Sequence, residues 1–176
     1  ILNASPEAAL DLLDEGLGHL AAFNGLMHEN MTRNYGWAFL DMGRRLERAS
    51  NLSDAILSLF GAPLEPAEEM GRRVFLLELA DSFITYRSRY RLDPMLALVL
   101  DLLLLDETNP RSLAYQLASV SDHLAALPQS MQGASLTEER RLILSMLTTV
   151  RLADIEQIAA DPTCAALKNM LSEQLD

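Results

Sequence analysis

Cysteine occurs once in these 176 residues, at Cys164. No disulfide can form within one chain, which excludes a stapled secreted scaffold and fits a reducing compartment. Cys164 has no catalytic partner beside it in sequence and reads as an inert thiol. Glycine (8) and proline (7) are sparse. A glycine-rich phosphate loop, an HExxH pair, a Glu-x-x-His unit and a nucleophile elbow are all lacking. His19, His28 and His123 have no metal-ligand spacing, so each reads as a surface or core-edge histidine. Positive charge is also short: 14 Lys and Arg face 25 Asp and Glu, a net charge of -11. That excess speaks against nucleic acid and against anionic membrane surfaces as partners. The longest apolar run, Met95 to Leu105, is interrupted by Asp101 and is too short to span a bilayer. No secretory leader is recognisable, and a cytoplasmic location is the expectation.

What is present is helix-forming. Apolar residues make up 49% of the chain, led by Leu and Ala. Ser5-Pro6-Glu7 starts a helix expected to reach about Met31. Gly36 is expected to break the chain before a second helix, Trp37 to Phe60. A loop from Gly61 to Pro66 precedes a third, Ala67 to Tyr90. Asp93-Pro94 opens a fourth and Asn109-Pro110 a fifth. Ser135 and Glu138 have capping-box spacing and open a sixth, reaching about Ala160. Asp161-Pro162 opens a short seventh. No segment alternates with period two over a strand length. The expected fold is all-α, a single-domain multi-helix bundle of six to seven helices, with the second and third helices the longest in its centre.

The charged stretch MTRNYGWAFLDMGRRLERASN, residues 31–51, needs explaining. At about 100° per residue, Phe39, Met42, Leu46, Ala49, Ser53, Ile56, Leu57 and Phe60 form one apolar stripe. Trp37, Asp41, Arg44, Arg45 and Arg48 lie opposite. Leu52, Ala55 and Leu59 continue that opposite side, so the second half of the helix is expected to be covered on both faces. Three arginines there have one or two local acids to answer them. The remaining guanidinium must meet an acid from another helix or an outside anion, and arginine suits both through its bidentate fork. Azimuth assigns Arg48 to acids on other helices (Asp81, Asp101 or Asp106), Arg45 to a surface pair with Asp41, and Arg44 to a ligand anion.

Charge also enters apolar sequence further on. Arg87 projects among Leu76, Ala80, Phe83 and Ile84, the apolar side of the third helix. Asp101 sits inside MLALVLDLLLLDE. Both are expected to be buried and charge-compensated, by each other or by the second-helix arginines.

Three ordered stretches, MTRNYGWAFLDMGRRLERASNL, DSFITYRSRY and DLLLLDETNPRSLAYQL, resemble the Alpha-E domain family, all-helical bacterial proteins named for a Glu-Arg motif. Here that motif is Glu47-Arg48. The family pattern implies two copies of the Glu-Arg unit. One clear copy is present, LERA at 46–49, so the chain is expected to be the carboxy-terminal part of a longer protein with a related upstream repeat. The resemblance further implies a role in peptide synthesis or modification, beside ATP-grasp ligases, transglutaminase-like proteins and proteasome-like hydrolases. The matched stretches supply the candidate binding residues. These are Trp37, Asp41, Arg44, Glu47 and Arg48; Asp81, Tyr86, Arg87 and Arg89; Asp101 and Asp106; Asn109 and Arg111. No cofactor or metal follows from the sequence. Three functions remain open: an accessory or substrate-binding module of such a system, an enzyme using Glu47 as base beside arginines, or a helical scaffold.

Overall fold

The computed structural model describes residues 5–63, 65–128, 136–161 and 163–172. Among the described residues there is no strand, as the periodicity requires. The chain divides into two compact units, Ile1–Ala38 and Phe39–Asp176.

In the first unit, Ser5 caps helix α1 (Pro6–Asn30) by accepting from the Ala8 amide at 3.3 Å, with Pro6 in the first turn. Met27 is its buried residue. Helix α2 (Tyr35–Phe60) begins two residues earlier than expected. Gly36 does not interrupt it. The Asn34 carboxamide accepts from the Trp37 amide at 3.2 Å and sets the start, and a Cβ at Gly36 would lie 3.3 Å from that oxygen.

The second unit holds the remainder of α2, then α3 (Pro66–Leu79), α4 (Phe83–Tyr90), α5 (Leu96–Leu100) and a π-helical turn (Asp101–Leu105). Helices α6 (Leu113–Ala126), α7 (Glu138–Arg151), α8 (Ile155–Ala160) and α9 (Ala165–Ser172) complete it. Met42, Ala49, Ser53, Ile56 and Phe60 are buried along the expected α2 stripe, whereas Phe39 and Leu46 are exposed. On the opposite side Leu52 is buried and Ala55 and Leu59 are partly buried, so the second half of α2 is covered on both faces. A Cβ at Gly61 would fall 2.3 Å from the Leu57 carbonyl oxygen, so glycine is needed where α2 ends.

The expected third helix is two helices. Asp81 adopts φ 48°. Its amide donates to the Glu78 carbonyl at 2.9 Å, and the Ser82 amide donates to the Leu77 carbonyl at 2.8 Å. This pair of bonds is a Schellman stop, with aspartate in the left-handed position usually held by glycine. No Gly or Pro marks the site, which is why periodicity reads through it. The break resets the azimuth of everything downstream. Arg87 is consequently exposed, approaching Asp93 at 3.8 Å, and is not a buried cation. Tyr86 takes the inward position, fully buried.

The expected sixth helix also divides, into α7 and α8, at Leu152 to Asp154. Thr137 caps α7 through its hydroxyl, while Ser135 lies outside the described residues. Downstream of α5 the chain widens into the π-turn, closed by the Asp106 amide on the Asp101 carbonyl at 3.2 Å. The wider turn places Leu102, Leu103 and Leu104, three consecutive residues, wholly in the core. Asp101 at its start is only half-buried and accepts from the Tyr90 hydroxyl at 2.9 Å. A neutral phenol, and no arginine, answers it.

Tyr86 joins two ends of backbone through one hydroxyl. It donates to the Asp93 carbonyl at 3.1 Å and accepts from the Met95 amide at 3.0 Å. Tyr86→Phe strands both groups at a buried site. Its expected cost in urea denaturation is about 1–3 kcal/mol, and a loss under about 0.5 kcal/mol would show that water replaces the hydroxyl.

Candidate functional site

Asp41 lies inward on α2, 4% exposed. Its Oδ2 accepts from Arg45 Nε at 3.0 Å and lies 2.8 Å from His123 Nε2 on α6. Its Oδ1 faces Arg44 Nη1 at 3.9 Å. Burial opposes ionisation of this carboxyl. The hydrogen bonds from His123 and Arg45, together with the Arg45 charge, outweigh it and hold the group below the ordinary aspartate range. Arg45 also donates to Gln116 Oε1 at 3.3 Å and lies 5.0 Å over the Tyr115 ring. Gln116 in turn donates to the Pro110 carbonyl at 2.6 Å. One carboxylate thus engages two arginines and a histidine, and ties α2 to α6.

Arg48, one turn beyond Arg44, makes no direct contact with this arrangement. It is exposed, and among the described residues its side chain forms no ion pair or hydrogen bond. Desolvation, then the like charges of Arg44, Arg111 and Arg45, lower its guanidinium pKa from the ordinary value against a smaller opposing pull from Asp41. Arg48 lines a cavity of about 260 Å³ between α2, the end of α3 and the turn into α6. Leu52, Leu76, Leu79 and Ala80 supply its apolar wall. Asn51, Asp81, Arg111 and Gln116 supply its polar side. Arg111 donates to Asp81 at 2.5 Å across this side.

The Arg111 position is built from behind. Buried Asn109 donates to the Leu102 carbonyl at 3.1 Å and accepts from the Arg111 amide at 3.1 Å. Ser112 donates to the Asp106 carbonyl at 2.6 Å and caps α6 by accepting from the Tyr115 amide. The left-handed turn at Asp81 presents the partner carboxylate. The helix break and the 106–112 connection therefore meet at one cavity.

The family model for Alpha-E, described as a predicted alpha-helical domain with a conserved ER motif, matches residues 1–176. The chain belongs to the Alpha-E family. Uncharacterised proteins of Mycobacterium tuberculosis and Mycobacterium bovis are each 32% identical to it over 161 residues, 90% of this chain. The chain spans 18% of the length of these relatives. No solved structure matches it. Glu-Arg occurs twice in this Alpha-E chain, at Glu47-Arg48 and at Glu139-Arg140. The first reaches the cavity through Arg48. The second lies in the first turn of α7, with Glu139 exposed.

Five candidates, Asp41, Arg44, Arg48, Asp81 and Arg111, lie at the cavity or in the charge network beside it, with Asn109 supporting Arg111. Glu47 is exposed and does not line the cavity. The others stand elsewhere. Trp37 belongs to the first unit, where the Arg33 guanidinium lies 4.2 Å from its ring. Tyr86 is a core residue, and Arg87 faces solvent. Arg89 donates to Asp106 at 2.5 Å, and Asp106 also accepts from Thr108. The three acids expected to answer Arg48 are all engaged: Asp81 by Arg111, Asp101 by Tyr90, Asp106 by Arg89. The roles assigned by azimuth are therefore exchanged. Among the described residues Arg48 has no counter-ion in contact, and Arg44 shares Asp41 with Arg45. The Arg45–Asp41 pair forms as expected, but beneath the surface: the side chains are 17% and 5% exposed.

His123, Gln116 and Asn51 join the site without a motif to announce them. Asp41 yields a pH-dependent prediction. Its folded pKa lies below the unfolded value of about 3.9, so its contribution is fully present above that pH and is lost as pH falls through the folded value. Asp41→Asn should cost about 1.5–3 kcal/mol at pH 7. The gap from wild type should close as denaturation is repeated below about pH 4. A gap that persists unchanged into acid would contradict the ionised network.

Proposed function

We propose that this Alpha-E chain is an accessory, substrate-holding module of a peptide synthesis or modification system, and that the cavity at Arg48 grips an anionic group of the substrate. One observation carries this reading: an arginine with no ion-pair partner among the described residues faces a cavity, among three more guanidiniums, in a chain whose net charge is -11. Arg44 and Arg45 share Asp41, and Arg111 is held by Asp81. The local excess is positive, and a carboxylate or phosphate oxygen pair would satisfy it. A scaffold has no need of such a cation. For catalysis by Glu47, the base would have to face the cavity, and it does not line it. An ATP-grasp ligase is the proposed acting partner, with transglutaminase-like proteins in the same system; the family resemblance supports this association.

A charge-assisted bond is worth about 1.5–3 kcal/mol, so losing one should weaken substrate use roughly tenfold to hundredfold. The test is ATP-dependent ligation by the partner ligase, with the wild-type chain, with Arg48→Ala, and without the chain. The reading expects at least a tenfold fall in rate for both changes at limiting substrate. A rate indifferent to omission of the chain would refute the accessory role, and full activity with Arg48→Ala would refute the anion grip.

A further inference from the structure

We infer that the Arg48 cavity takes a single carboxylate carried on an aliphatic group, such as the end of an amino acid or peptide with a leucine-like side chain. This rests on the anion-binding reading above and narrows it. Two guanidiniums, Arg48 and Arg111, and one carboxylate, Asp81, line the cavity, and Asp81 is bonded to Arg111, which leaves one uncompensated positive charge at the wall. One negative charge neutralises it. A phosphate dianion would instead confront Asp81 and the carboxy-terminal end of α3, which carries the negative pole of the helix dipole. The opposite wall is aliphatic: Leu52 and Leu76 are buried there, and Leu79 stands exposed at the rim. Among the described residues no aromatic side chain lines the cavity, so a nucleobase finds nothing there to stack on. At about 260 Å³ the space is smaller than the roughly 300–1,000 Å³ typical of sites for drug-sized ligands, and it suits one end group.

Charge and apolar wall make separable demands. Arg48 and Arg111 hold the carboxylate in a fork, while the side chain lies on Leu52, Leu76 and Leu79. The Asn51 carboxamide has no partner among the described residues and stands at the same wall, available to an adjacent peptide group.

Isothermal titration calorimetry on the 176-residue chain tests this with N-acetyl-leucine, N-acetyl-leucinamide, N-acetylglycine, leucine and inorganic phosphate. N-acetyl-leucine should bind at least tenfold more tightly than its amide, which lacks the charge, and at least tenfold more tightly than N-acetylglycine, which lacks the side chain. Arg48→Ala should weaken N-acetyl-leucine at least tenfold. Leu79→Ser, at an exposed position, should narrow the N-acetyl-leucine to N-acetylglycine ratio severalfold. Tighter binding of N-acetyl-leucine than of leucine would assign the carboxylate to a peptide end, and the reverse order to a free amino acid. Arg48-dependent phosphate binding tighter than that of N-acetyl-leucine or leucine would overturn this inference and leave the anion grip standing. Binding of none of the five probes would overturn both.

Discussion

The charge arrangement of this Alpha-E chain depends on the buried carboxylate of Asp41. A carboxylate taken out of water must be saturated with donors, and Asp41 recruits Arg45, His123 and, at longer range, Arg44. That recruitment links α2 to α6 and fixes the rotation of α2 about its axis. Once the rotation is set, Arg48 must stand over the cavity. The acids that could have reached it are held by other partners. An ion-pair network whose structural purpose is complete thus leaves one cation over, beside a cavity with an aliphatic wall.

The second constraint is local backbone geometry. Asp81 occupies a left-handed position that aspartate tolerates better than most residues. The same residue then offers its carboxylate to Arg111, whose own position is held by Asn109. A helix stop and a polar turn, far apart in sequence, together supply the polar side of one pocket. The π-turn takes part as well, because its Leu102 carbonyl is the acceptor that orients Asn109. Irregular backbone gathers at the candidate site, while the regular helices provide the core.

The all-α class, the start of α1, the end of α2 and its two-sided burial were legible because helical periodicity and Ser/Pro start signals act locally. The break at Asp81 was not, because its usual marker, glycine, is absent and the deciding bonds are backbone ones. That miss propagated: reading Ala67 to Tyr90 as one helix turned Arg87 inward and paired it in expectation with Asp101. Arg44 and Arg48 stood out as charges short of local acids, with Asp41 as the local acid and Asp81 as one candidate answer to Arg48, whereas Arg111 entered only through the matched stretches. Which arginine would be left without an acid could not be read from azimuth alone, since it depends on how the other helices dispose of Asp101 and Asp106. Gln116 and His123 carry no spacing signal, and they enter through tertiary contact with α2.

Arg48 should be retained in spite of stability, not because of it. The direct measurement is urea denaturation of Arg48→Gln against wild type, at low salt and again at about 0.15 M, where screening shortens to roughly 8 Å. Relief of repulsion from Arg44 and the other guanidiniums predicts equal or higher stability for the variant, by about 0.2–0.5 kcal/mol for each like-charge pair removed, with the gain shrinking as salt rises. A loss greater than about 1 kcal/mol would show that Arg48 has a structural counter-ion, and would contradict the account.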